Sequence, residues 1–133
     1  MSLLYHPVIA VFIGGGLGSV LRYFLSISLP TYSKWPFPIA TLSANLLGAF
    51  IIGTVFAYVS ASTQFPSHVK LFLMTGLCGG LTTFSTFSLD LFLFFQKSQW
   101  SLLITTLLSN VVLTVIVVSC SFYLTTKLFL NTQ

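Results

Sequence analysis

From residue 35 to residue 69 the chain carries no Lys, Arg, Asp or Glu, and the same holds for residues 1–21, 71–89 and 98–126. Each run is long enough for a helix that crosses a bilayer, which takes roughly 20 apolar residues. A soluble domain of this size keeps itself dispersed with a charged surface, about a quarter of its residues. Here 5% are charged: five Lys and Arg, one Asp and no Glu among 133 residues. The mean hydropathy is +1.02. A soluble globular fold is excluded. Disorder is excluded as well, because it needs low hydrophobicity and high charge. The pI of about 9.3 reflects the scarcity of acid, since the cations are scattered and form no basic patch for nucleic acid. An integral membrane protein remains.

The interruptions divide the chain into four helices, expected at about 4–28, 39–60, 70–95 and 101–128. They form a single all-α transmembrane domain over residues 1–133. The connections "LPTYSKWPFP", "SASTQFPSH" and "QKSQW" hold the helix breakers. Transmembrane β-strands would alternate polar and apolar residues, and "LFLFF" and "VVLTVIVV" do not. The first helix is not expected to be a cleaved signal, because its first cation, Arg22, follows the apolar run instead of preceding it. Cys78 and Cys120 sit in apolar segments without metal-ligand spacing and read as inert small hydrophobes. His6 and His68 form no cluster.

With four spans, Lys70 and Lys127 share one side of the membrane, and Lys34 and Lys97 share the other. Two against two gives the positive-inside rule almost nothing to act on. Either another signal fixes the orientation or the chain inserts both ways. Opposite insertion would permit an antiparallel homodimer.

Small residues that let helices approach closely are dense. In "GGGLGSVLRY", Gly14 and Gly18 have GxxxG spacing, and Arg22 follows one turn later. On the second helix Thr41, Ala44, Asn45 and Gly48 share a face. The glycines are accounted for by helix packing. Arg22 and Asn45 ask for more, because polar groups at membrane depth are costly unless paired.

The segment "GLCGGLTTFSTFS", residues 76–88, is the least helix-like stretch of any span. Irregular backbone at membrane depth survives where it is buried in protein or lines a cavity. Its freed carbonyls are ligands for a hard cation, and with no carboxylate in the segment that cation would be monovalent, such as Na⁺. Beyond the break, Phe84 and Phe87 share one helix face, and Ser85 and Ser88 an adjacent one. Hydroxyls donate hydrogen bonds, ring edges are electropositive, and Asn45 has two amide donors. Together they suit an anion path with little formal charge. The plainer reading keeps both rings as core filler.

Taken in order, "GGGLGSVLRY", "TLSANLLGAF" and "GLCGGLTTFSTFS" on a four-helix chain of this length resemble the Fluc/CrcB family of fluoride channels. The resemblance covers nearly the whole chain, and the third motif is the specific one. It implies an antiparallel, dual-topology homodimer, or a pair with an oppositely oriented paralogue, in the bacterial cell membrane. The third helix would be broken at its centre. The dimer would export fluoride passively through two pores and confer fluoride resistance. A structural Na⁺ would lie at the dimer centre on the backbone carbonyls of Gly79 and Thr82. The pore would be lined by Asn45, Phe84 and Phe87, with the hydroxyls of Thr83, Ser85, Thr86 and Ser88. Arg22 matches the family's first-helix arginine. On the fourth helix many members carry a Tyr followed four residues later by a Ser. The register here gives Thr105 and Ser109, without the Tyr.

The preference for fluoride over chloride rests on that resemblance. Hydrofluoric acid crosses membranes as the neutral molecule and dissociates inside, so the trapped anion needs its own exit. A potential negative inside drives an anion outward by about 2.3 kcal/mol per 100 mV, and no phosphate-binding G-x-x-x-x-G-K-[ST] motif is present. Two rivals fit less well. A proton-coupled cation exporter needs an embedded carboxylate, and the only acid is Asp90, at the end of the third span. An assembly subunit would not need Asn45 and Arg22 at depth. Asp90 is expected to pair with Arg22, directly or through a water, because the two lie toward the same side of the membrane. The competing role for Arg22 is an electropositive mouth that draws anions in.

Overall fold

The computed structural model describes residues 6–29, 37–61 and 65–130. Within them the chain is helical, with no strand, and four helices are long and apolar enough to cross a membrane: Pro7–Ser28, Ile39–Ala61, Ser67–Gln96 and Trp100–Leu128. They are called here the first to fourth spans. The expected start of the first helix at Leu4 falls outside the described residues, as does Lys34 in the first connection. The third span begins three residues earlier than the hydropathy suggested, directly after Pro66. Proline there is compatible with a helix start, since its missing N–H would have no partner in any case. Pro7 opens the first span in the same way.

The spans bury mainly small residues. Ala10, Gly14 and Gly18 are the buried residues of the first. Ala44, Gly48, Ala49, Gly53 and Ala57 are among those of the second. Large apolar side chains point outward, among them Phe12, Leu17, Phe50, Phe92 and Val115. That inversion suits hydrocarbon, where exposed Leu and Phe cost nothing and helices associate through close backbone approach.

The first span packs on the opening half of the third, and the second packs on the fourth. The first contact is backbone on backbone. A Cβ at Gly14 would collide with the Phe72 carbonyl oxygen, and one at Gly18 with that of Leu77. Gly76 and Gly80 answer from the other side, each with first-span backbone where its Cβ would be. Gly16 faces open space. The third and fourth spans meet in a tight turn that Ser98 closes at φ 54°. Ser98 N–H donates to the Phe95 carbonyl (3.0 Å) and Gln99 N–H to that of Phe94 (2.9 Å). This is the bonding of a Schellman cap, with serine where glycine is usual.

Candidate functional site: a polar step in the third span

Within the third span, two consecutive residues leave helical geometry. Thr82 has ψ 156°, and Thr83 has φ −148° and ψ 115°. Helix resumes at Phe84 and runs to Gln96. The local chemistry favours a restart there. Thr83 is an N-cap whose hydroxyl accepts from Thr86 N–H at 3.2 Å and donates to the Thr86 hydroxyl at 3.0 Å. Thr82 ends the preceding turn, its N–H and its hydroxyl both donating to the Cys78 carbonyl, at 2.9 and 2.8 Å. The methyl of Thr82 lies where a Cβ on Gly48 would be, which fits the step against the second span.

Asn45 completes the step from the second span. Its Oδ1 accepts from Thr83 N–H at 2.8 Å. Its Nδ2 donates to Asn110 Oδ1 at 3.0 Å and, at 3.4 Å, toward the Thr83 carbonyl. Asn110 Nδ2 in turn donates to the Thr106 carbonyl at 3.1 Å. A backbone N–H can only donate, so Thr83 fixes which end of the Asn45 amide is oxygen.

These diversions have a consequence for the backbone. In an unbroken helix Thr83 N–H would bond the carbonyl of Gly79, and Thr86 N–H that of Thr82. Here the first goes to Asn45 and the second to the Thr83 hydroxyl. The carbonyls of Gly79 and Thr82 thereby lose these helical donors. No group of three or more His, Cys, Asp or Glu that could hold a metal occurs among the described residues. A cation at this step would therefore meet neutral oxygens.

A recess of about 500 Å³ adjoins the step, and Asn45, Gly79, Thr82, Thr83, Phe84 and Phe87 all line it. The two rings stand 5.8 Å apart, tilted by 57°. Their surroundings differ: Phe87 is 6% exposed and Phe84 79%. A second recess, of about 310 Å³, is lined by Arg22, Thr41, Thr83 and Thr86 among others. Thr83 borders both.

Other expected residues are placed differently. Ser85 is exposed, and the Ser88 hydroxyl is spent on the Phe84 carbonyl at 2.9 Å. Thr105 and Ser109 do not reach the recess. Each bonds its own helix: Thr105 to the Ser101 and Leu102 carbonyls, Ser109 to that of Thr106. The fourth-span polar residues that line the recess are Asn110 and Thr114, one position further along. Asn110 carried a readable signal, an amide inside a long charge-free run, the same signal that singled out Asn45. Arg22 and Asp90 form no direct ion pair. Asp90 Oδ2 instead accepts from the Thr41 hydroxyl at 3.0 Å, and Thr41 borders the Arg22 recess.

Comparison with known proteins places the chain in a family along most of its length. The family profile described as "CrcB-like protein, Camphor Resistance (CrcB)" matches residues 9–122, a span that includes every residue of the step and both recesses. The chain is 44% identical over 108 residues to the fluoride-specific ion channel FluC 1 of Yersinia pestis, covering 81% of this chain and 84% of that protein. It is 49% identical over 98 residues to the fluoride-specific ion channel FluC of Salmonella arizonae (72% and 76%). It is 42% identical over 100 residues to that of Acinetobacter baumannii (74% and 77%). With four spanning helices and a match of this extent, the chain is a multi-pass membrane protein that belongs to the CrcB family.

Proposed function

We propose that this chain is the subunit of a passive fluoride channel, not an enzyme, which lets cytoplasmic fluoride leave a bacterial cell and so confers fluoride resistance. The reading is carried by one observation: the recess at the Arg22 end and the recess beside Phe84 and Phe87 both border Thr83. An anion drawn in by the Arg22 charge meets the hydroxyl of Thr86, which accepts from Thr83 and can donate its own proton, then the electropositive edges of the two rings. Contacts of this kind lower the cost of desolvating an anion without trapping it, as conduction requires. The relatives are named as fluoride-specific channels, and from them comes the choice of fluoride.

The channel is an antiparallel homodimer. Support comes from the outer surface of the third span, where Thr75, Gly79, Ser85 and Thr86 are exposed beside Phe84. Polar groups and free carbonyls are poorly suited to lipid, and a second copy would cover them. The even lysine count agrees with insertion in both orientations. The carbonyls of Gly79 and Thr82 would hold a structural Na⁺, whose charge would offset those carbonyl dipoles and favour a nearby anion.

Purified protein in liposomes loaded with fluoride or chloride tests the reading. The expected result is rapid, ionophore-supported fluoride efflux with chloride retained. Equal efflux of both anions, or none, overturns it.

A further inference from the structure

Asn45 and Asn110 form a relay with one allowed direction. At one end stands Thr83 N–H, which can only donate. At the other stands the Thr106 carbonyl, which can only accept. Between them each amide receives on its oxygen and donates from its nitrogen: Thr83 N to Asn45 Oδ1 at 2.8 Å, Asn45 Nδ2 to Asn110 Oδ1 at 3.0 Å, Asn110 Nδ2 to Thr106 O at 3.1 Å. Neither amide can flip without setting donor against donor at Thr83 or acceptor against acceptor at Thr106. Bonds aligned in this way polarise one another. The relay ties the extended step of the third span, through the second, to the backbone of the fourth. Asn110 is 4% exposed, so water does not compete for its amide.

We propose that Asn110 is a positioning residue for the anion path: by occupying Asn45 Nδ2 it holds Asn45 Oδ1 on Thr83 N–H and keeps that N–H off the Gly79 carbonyl. Asn110 acts through Asn45 and needs no contact with the anion. The proposal rests on the channel reading for its functional consequence, but not for its structural one. Without Asn110, Asn45 keeps only the long 3.4 Å contact for its nitrogen, and Thr83 N–H loses a firmly held acceptor and opens more often.

Two readouts separate the possibilities. The first is hydrogen exchange at the Thr83 amide in detergent-solubilised protein. The second is fluoride efflux from liposomes. Asn110→Leu keeps the branched shape of the side chain and has no amide. It should speed Thr83 exchange and slow fluoride efflux by about threefold each, the average scale of one interhelical hydrogen bond in a membrane. Asn110→Gln, which restores the amide, should recover most of both. In an Asn45→Ala background, Asn110→Leu should change neither further, because the relay is already cut. If Asn110 only fills space, Leu preserves exchange and efflux, and the proposal falls. Additive effects of Asn45→Ala and Asn110→Leu also overturn it. Should Asn110→Leu fail to assemble, Asn110→Ala carries the same exchange test without added bulk. Wild-type protein that passes no fluoride defeats the channel reading alone, since Thr83 exchange still reports the relay. A conducting wild type whose Thr83 exchange ignores Asn110 defeats the relay alone.

Discussion

The opening half of the third span and the step at Thr82–Thr83 are held by opposite means. The first is packed by absence: Gly14 and Gly18 meet Gly76 and Gly80, and no side chain intervenes. The second is packed by polar atoms: Asn45, Asn110 and the Thr83 hydroxyl take up bonds that the helix gave away. Where a helix satisfies its own backbone, neighbours need only come close. Where it does not, partners of fixed donor and acceptor identity must be supplied, because hydrocarbon offers none. The two regions adjoin, and the rigid glycine contact gives the step a fixed platform.

The largest effect should come from filling the glycine contact. A Leu at Gly14 or Gly18 would push into backbone carbonyls, which cannot swing aside as a side-chain tip can. Gly18→Leu should cost about 3 kcal/mol or more, seen as loss of a folded species on size-exclusion chromatography. Gly16→Ala, with open space around it, should leave the elution profile and thermal melt unchanged. A damaging Gly16→Ala together with a harmless Gly18→Leu would reverse the assigned face.

Next in size is the contrast within the aromatic pair. Phe87 is buried in the single chain and Phe84 is not. Phe87→Ala should lower the unfolding free energy by about 3 kcal/mol, measured by thermal melting in detergent. Phe84→Ile should leave the helical melt near wild type while fluoride efflux is crippled. Retained efflux in Phe84→Ile would return that ring to packing and leave the path without its exposed edge.

Much of this was legible in the residues, and the gaps have physical reasons. The glycine contact announced itself through GxxxG spacing, since close approach has few other sequence solutions. Asn45 stood out because an amide in an apolar run needs a partner. What spacing does not convey is the partner. The bond from Asn45 to Thr83 N–H depends on where a helix lets go, and that in turn depends on Thr83 capping the next one. The fourth span shows the same limit. Along "TTLLSNVVLT" the polar positions 105, 106, 109, 110 and 114 cover more than one helix face, and only packing decides which face meets the recess. Asn110 and Thr114 line it, whereas Thr105 and Ser109 do not. Charge alone could place Arg22 and Asp90 toward one side of the membrane, but not show Thr41 bonded to the carboxylate.

That hydroxyl carries the smallest expected effect and bears on how the polar network is bounded. Thr41 donates to Asp90 Oδ2 at 3.0 Å and also borders the recess of Arg22. Removing the hydroxyl with Thr41→Val keeps the shape and leaves the carboxylate without this donor. A single side-chain bond between helices in a membrane is worth about 0.6 kcal/mol on average, so the melt should fall only slightly. If Thr41 is all that holds Asp90, then Asp90→Asn, which can still accept from Thr41, should be equally mild, and Arg22→Gln should leave the melt unchanged while slowing efflux. If a water joins Arg22 to Asp90, each charge-removing change leaves its partner unpaired at depth and should cost more than Thr41→Val, whereas the double change Arg22→Gln with Asp90→Asn should regain part of the loss. Melting of the four variants therefore decides whether the charge at position 22 serves the mouth of the path alone or also anchors the third span. The direct bond to Thr41 and the lack of a direct ion pair favour the mouth.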